Sequence, residues 1–152
     1  MTAQTDTPAV DTSLPEPKQI AKGGLYSLPG IAIATALGSP IAGGLLMGKN
    51  FEAIGKATQA KQTYLYFVLG TIGLLFLSTF IPEETGLSNY SFTVFTTLIT
   101  LFIAKHHQEQ AIKQHISAQG KIFSNWRAAG IGLAFGLVFL SVYVAIVYAT
   151  MA

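Results

Sequence analysis

The chain has 152 residues, of which 51% are hydrophobic and 11% are charged, against roughly a quarter charged in a typical soluble domain. The net charge of +2 is too small to indicate nucleic-acid binding, and the absence of cysteine excludes disulfides and thiolate metal sites. Long stretches, among them residues 64–81, 86–104 and 128–152, carry no charge at all. Because a membrane-spanning helix needs about 20 apolar residues, this pattern predicts an all-α integral membrane protein.

The first 28 residues are rich in Thr, Pro and Asp. Such a segment cannot bury enough apolar surface to offset the entropy that it would lose on ordering. We therefore predict a disordered tail over residues 1–28 and a helical membrane domain over residues 29–152.

The first apolar segment, residues 31–48, is just long enough to cross a membrane, and it contains Pro40 at its middle. Its small residues follow helical lines, which would let another helix approach closely, while Pro40 predicts a kink in the preceding turn. The segment is interpreted either as a kinked packing helix or as a broken helix that exposes backbone groups to a substrate. The candidate packing or functional positions here are Gly38, Ser39, Pro40, Gly43 and Gly44.

A polar stretch follows this segment, and Asn50 is a plausible N-cap for a short interfacial helix within it. The second span is predicted over residues 64–81. Pro82 ends it, and the acidic turn at Glu83 and Glu84 is short enough to make the next helix an antiparallel neighbour.

The third span, residues 87–104, carries threonines at positions i, i+3, i+4 and i+7, which lie on one helix face. They are Thr93, Thr96, Thr97 and Thr100. Their hydroxyls would either bond to a neighbouring helix or line a path for a small polar solute. The helical composition continues through residues 105–117, so this helix is expected to project beyond the membrane and to end at Gly120.

The last span is predicted over residues 128–150, and it contains two lines of small residues. Gly132 and Gly136 form a GxxxG pair, a known packing motif of membrane helices. The second line consists of Gly130, Ala134, Ser141, Ala145 and Ala149.

Seven of the nine basic residues lie in residues 49–63 and 105–127, and the positive-inside rule makes these two loops cytoplasmic. A bundle of four transmembrane helices is preferred, because residues 31–48 are long and apolar enough to cross. The alternative has three spans plus a re-entrant first segment, and it keeps all nine basic residues on one side.

The proposed spans contain no Asp, Glu, Lys, Arg or His. Ion-coupled transport is therefore not expected, because coupling needs a group that changes charge. No carboxylate pair or nucleophile–base set can be assembled in a pocket, so we predict no enzymatic activity, no metal and no cofactor. The three histidines, His106, His107 and His115, are interpreted as solvated side chains of the projecting helix.

The stretch Leu37–Gly43, followed by Asn50, Phe51 and residues 54–56, resembles a box found in small bacterial inner-membrane proteins of uncharacterised activity. Those proteins often carry Gly where this chain has Ser39. The resemblance covers about a sixth of the chain and implies a multi-pass protein of the bacterial inner membrane. It supplies no catalytic or binding residues.

Together these features predict a non-enzymatic accessory or scaffold protein that packs in the bilayer with itself or with a larger membrane protein. The alternative is a small uncoupled channel or facilitator for a polar solute, lined by the face from Thr93 to Thr100.

Overall fold

The computed structural model describes residues 21–78, 80 and 89–151. Within these residues the chain forms five α-helices and two short β-strands. In chain order they are β1 (Leu25–Tyr26), α1 (Leu28–Leu37), α2 (Pro40–Ala53), α3 (Ala57–Ser78), α4 (Asn89–Ser117), β2 (Ile122–Phe123) and α5 (Asn125–Met151).

The predicted single span over residues 31–48 is instead two helices, α1 and α2, which fold back on each other. Proline costs nothing at the first residue of a helix, so Pro40 starts α2 instead of kinking a continuous helix. The last residue of α2 then lies beside the segment that precedes α1, where the Lys22 N–H donates to the Ala53 carbonyl at 2.9 Å. We refer to α1 and α2 as the hairpin and to residues 38–40 as its tip.

The three long helices pack around this hairpin. Helix α3 lies along α2, α5 lies along α1, and α4 contacts both limbs. The parallel strands β1 and β2 pair Leu25 with Ile122, which joins the start of the hairpin to the start of α5. The core is therefore concentrated where the hairpin packs against the long helices, around Ile31, Leu46 and Met47.

Two predicted boundaries are wrong. The tail was predicted to reach Leu28, but Leu25 and Tyr26 are buried within β1, so order begins before that residue. The second helix begins at Ala57 and not at residue 64, because the polar stretch before it has good helix formers. The remainder of the predicted tail, residues 1–20, and the acidic turn after residue 81 lie outside the described residues.

The predicted continuation of the third helix past residue 104 is confirmed, since α4 runs unbroken from Asn89 to Ser117. It ends in a turn in which Gln119 has a positive φ of 57°. Among the described residues, two helices, α3 and α5, are long and apolar enough to cross a membrane.

Candidate functional site

The base of the hairpin is held by a buried amide network centred on Asn50. The Asn50 Oδ1 accepts from the Tyr26 N–H at 2.7 Å, and the Asn50 Nδ2 donates to the Tyr26 carbonyl at 2.9 Å. This two-bond clamp joins the entry to α1 with the last turns of α2. Asn50 was predicted to be an N-cap, but it lies inside α2 and is only 2% exposed.

The network continues to α4 through Gln108. The Asn50 Nδ2 also donates to the Gln108 Oε1 at 3.0 Å, and the Gln108 Nε2 donates to the Met47 carbonyl at 2.8 Å. Both amides are almost completely buried, and a buried amide is tolerated only when it is hydrogen-bonded. The arrangement therefore joins the entry to the hairpin, α2 and α4 through one buried set of hydrogen bonds.

The tip of the hairpin lies against the glycine pair of α5. A Cβ on Gly132 would stand 2.9 Å from the Ala34 Cα, and one on Gly136 would stand 2.7 Å from the Leu37 carbonyl oxygen. A Cβ on Gly38 would in turn collide with the Gly132 carbonyl. The GxxxG pair therefore packs against α1 of the same chain, so this face is occupied within the monomer.

The other small residues of the hairpin also mark close contacts. A Cβ on Gly43 would collide with the hydroxyl of Thr35, across the hairpin. Gly44 and Gly48 leave room for the rings of Phe67 and Tyr64 on α3. These glycines allow aromatic side chains to approach the backbone of α2, as small-residue faces do in membrane helices.

The threonine line on α4 does not behave as a single polar surface. Thr100 is buried, and its methyl group would meet a Cβ on Gly43 at 3.0 Å. The Thr96 hydroxyl donates to the Thr93 carbonyl of its own helix at 3.1 Å, while Thr93 itself is exposed. The hydroxyl oxygens of Ser39 and Thr97 are buried without a hydrogen-bond partner.

Three buried residues of this region were missed by the sequence interpretation: Tyr26, Gln108 and His115. His115 was predicted to be solvated, but it is 2% exposed and its Nε2 lies 3.1 Å from the Lys121 carbonyl oxygen. Gln108 and His115 extend the helix face that carries Thr100 and Ala104. A periodicity search continued past Lys105 would have found them.

Basic side chains collect at the hairpin base. The Arg127 guanidinium lies 4.2 Å from the centre of the Phe123 ring, and the Lys121 Nζ lies 5.9 Å from it. Within residues 21–78 and 89–151 one salt bridge forms, between Lys113 and Glu109 at 2.7 Å. The same part of the chain contains no cluster of three or more His, Asp or Glu side chains that could hold a metal ion.

Comparison of the chain with protein-family models, with curated proteins and with solved structures finds no match.

Proposed function

We propose that the protein is a non-enzymatic membrane scaffold in which α3, α4 and α5 cross the bilayer and the hairpin re-enters from the basic side. The observation that carries this topology is the clamp between Asn50 and Tyr26, because it returns the end of α2 to the level at which α1 begins. Helix α1 has 10 residues, or about 15 Å of rise, half the thickness of the hydrocarbon core.

The charge distribution supports the same topology. With three spans and a re-entrant hairpin, Lys22 joins the basic residues of the 49–63 and 105–127 loops on one side. The positive-inside rule makes that side cytoplasmic, and the resemblance to bacterial inner-membrane proteins suggests which membrane it is. The backbone break at Ser39 is acceptable at this depth, since irregular backbone is tolerated where protein surrounds it.

Cysteine labelling tests this topology, because the chain contains no natural cysteine. In intact cells, a cysteine introduced at Thr7 should be protected from an impermeant maleimide, whereas one introduced at Met151 should be labelled. Permeabilisation should expose the first site. Labelling of both sites in intact cells would instead indicate four spans and would reject the re-entrant hairpin.

The scaffold role is supported by the surface that the fold leaves uncovered. The second small-residue line of α5 lies on an exposed face: an added Cβ on Gly130 would contact nothing within 4 Å, and Ala134, Ser141 and Ala145 are exposed. Membrane helices associate through such faces because close backbone approach increases van der Waals contact. We therefore assign self-association to this line, in place of the occupied Gly132–Gly136 face.

Energy transfer between donor- and acceptor-labelled copies in lipid vesicles tests this assignment. Ser141→Leu and Ala145→Leu should reduce transfer, because each places a bulky side chain on the contact line. Tyr143→Trp is the matched control, since it adds volume to the opposite, exposed face of the same helix, and it should leave transfer unchanged. Transfer at the level of random proximity for the unsubstituted chain would reject self-association.

The alternative of a polar-solute path gains less support. Of the threonine line, Thr100 turns its methyl group toward the hairpin and Thr96 bonds its own backbone. A path for a polar solute needs a continuous row of free hydroxyls to replace water, and the buried Thr97 hydroxyl, which has no hydrogen-bond partner, is not continued by Thr96. Uptake of small polar solutes can be compared between vesicles that carry the protein and empty vesicles. Equal uptake by the two would exclude this alternative.

A further inference from the structure

The feature that the scaffold role leaves unused is the positive charge on the surface of the hairpin base, where β2 leads into α5. We refer to Lys121, Phe123 and Arg127 as the basic cluster. The Arg127 guanidinium lies 4.2 Å from the centre of the Phe123 ring, and the Lys121 Nζ lies 5.9 Å from it. The buried Tyr26 ring packs against Phe123, with 4.8 Å between the ring centres. Two exposed cations therefore border one aromatic ring that the fold holds in place.

The described part of the chain does not balance this charge. Residues 21–78 and 89–151 contain two carboxylates, Glu52 and Glu109. Glu109 is paired with a lysine of its own helix, and Glu52 lies beside Tyr64 of α3. Within these residues neither cation of the basic cluster forms a salt bridge. The cluster is therefore a place where an anion from outside the chain meets uncompensated positive charge.

The position of the basic cluster along α5 indicates the kind of anion. Arg127 is the last charged residue before an uncharged run that extends through residue 152. In the proposed topology α5 enters the hydrocarbon core just after Arg127, so the cluster lies at the membrane–water interface. Trp126 is 87% exposed, and tryptophan is enriched in this layer. The anionic groups that line this layer are the phosphates of lipid headgroups.

From this juxtaposition we propose that Arg127 and Lys121 bind the phosphate of an anionic phospholipid. A guanidinium can donate two parallel N–H bonds to phosphate oxygens, and contact with the Phe123 ring restricts the side chain before the lipid binds. A zwitterionic headgroup carries a cation of its own, which the two side chains repel, so the site should prefer an anionic headgroup. This site rests on the proposed membrane placement of α5, but it uses neither the second small-residue line nor self-association.

Native mass spectrometry of the full chain tests the site, with phosphatidylglycerol and phosphatidylcholine of identical acyl chains added to detergent micelles. Two cations should favour the anionic lipid by about 5- to 30-fold. Arg127→Gln should remove most of this preference, and Lys121→Gln should reduce it. Lys61→Gln is the matched control and should keep the preference. Lys61 is exposed and is the last charged residue before the uncharged run of α3, so the control removes the same charge at the same interface but outside the cluster.

Circular dichroism checks that each variant is folded, and Lys121→Gln carries the test if Arg127→Gln is not. Equal retention of the two lipids by the unsubstituted chain would overturn the proposal. Equal losses of preference in a folded cluster variant and in Lys61→Gln would also overturn it, because they would show diffuse attraction to the whole basic side. Displacement of the lipid by an equal concentration of inorganic phosphate would assign the cluster to a soluble anion instead. Any of these results together with the expected cysteine labelling would leave the topology standing.

Discussion

The hairpin base and the outer segments of the long helices are built in opposite ways. At the base, Ile31, Leu46 and Met47 are fully buried, and buried amides bind the hairpin to α4. In the outer segments, which are residues 72–78 of α3, 90–95 of α4 and 137–151 of α5, most side chains are exposed. Leu137 and Tyr143 of α5 are 64% and 65% exposed although the helix is apolar.

This difference separates the contacts that stabilise the fold, which lie at the base, from the exposed apolar surface, which lies on the outer segments. The base is closed by contacts within the chain, so its stability should be insensitive to the solvent around it. The outer segments gain nothing from burial within the monomer. Substitutions should therefore be costly at the base and nearly neutral in the outer segments when the monomer is studied in detergent.

Loss of the Asn50 amide should have the largest effect. Asn50→Ala leaves the Tyr26 N–H, the Tyr26 carbonyl and the Gln108 Oε1 without partners, and each buried orphan costs about 1–3 kcal/mol. We expect the free energy of unfolding in micelles to fall by about 3–5 kcal/mol. This free energy can be measured by titrating the protein with a denaturing detergent and following the loss of helix by circular dichroism. A loss below about 1 kcal/mol, which is less than one buried orphan should cost, would mean that the clamp does not hold the hairpin.

Alanine substitutions at the glycines of α5 should have the next largest effect on the free energy of unfolding. The sign of the effect should differ between two faces of the helix. Gly132→Ala should destabilise the protein by about 1–3 kcal/mol, because the methyl group meets the backbone of Ala34, which cannot move aside. Gly130→Ala should instead stabilise it by about 0.5–1 kcal/mol, because alanine favours the helix and nothing lies within 4 Å. The same unfolding titration compares the two variants. Equal effects would contradict the packing of α1 against one face of α5.

Much of this helical architecture is predictable from the sequence, but the hairpin is not. Uncharged runs locate most of α3, the first half of α4 and nearly all of α5, because hydropathy and helix length act locally. Whether Pro40 kinks a helix or begins a new one depends on tertiary contacts. Here the deciding contacts are the clamp at Asn50 and the close approach of Gly38 to Gly132, between residues far apart in the chain.

The candidate site shows the same limit. The glycines of the hairpin and the GxxxG pair of α5 lie at close contacts between helices, whereas Gly130 contacts nothing. Glycine spacing reports how closely backbones can approach. It does not identify which helix each face meets: the spacing of Gly132 and Gly136 predicts a packing face, but not that the face meets α1 of the same chain. Gln108 was missed because polar side chains after Lys105 suggested solvent exposure, whereas tertiary packing buries one of them.

A truncation in the outer segment of α5 sharpens the contrast. Val144→Ala removes two methyl groups from a side chain that is 43% exposed and fills no space between helices. The free energy of unfolding of the monomer in micelles should change by less than about 0.5 kcal/mol. Ile31→Ala, at the base, is the comparison and should cost about 2–5 kcal/mol. Similar losses for the two variants would show that the outer segment is packed within the monomer after all.

The smallest effect is expected at the ion pair on the projecting part of α4. Lys113, four residues after Glu109, holds the pKa of the Glu109 carboxyl below its usual range through a hydrogen bond and its charge. A lowered pKa stabilises the fold above the ordinary carboxyl range, and that contribution is lost as the pH falls through the folded-state value. Because both side chains are reached by water, screening keeps the contribution small. Lys113→Ala should therefore raise the pKa of Glu109, which an NMR titration measures. The midpoint of unfolding at neutral pH should stay unchanged. A clear drop in that midpoint would mean that the surface of α4 supports the fold as much as its buried face.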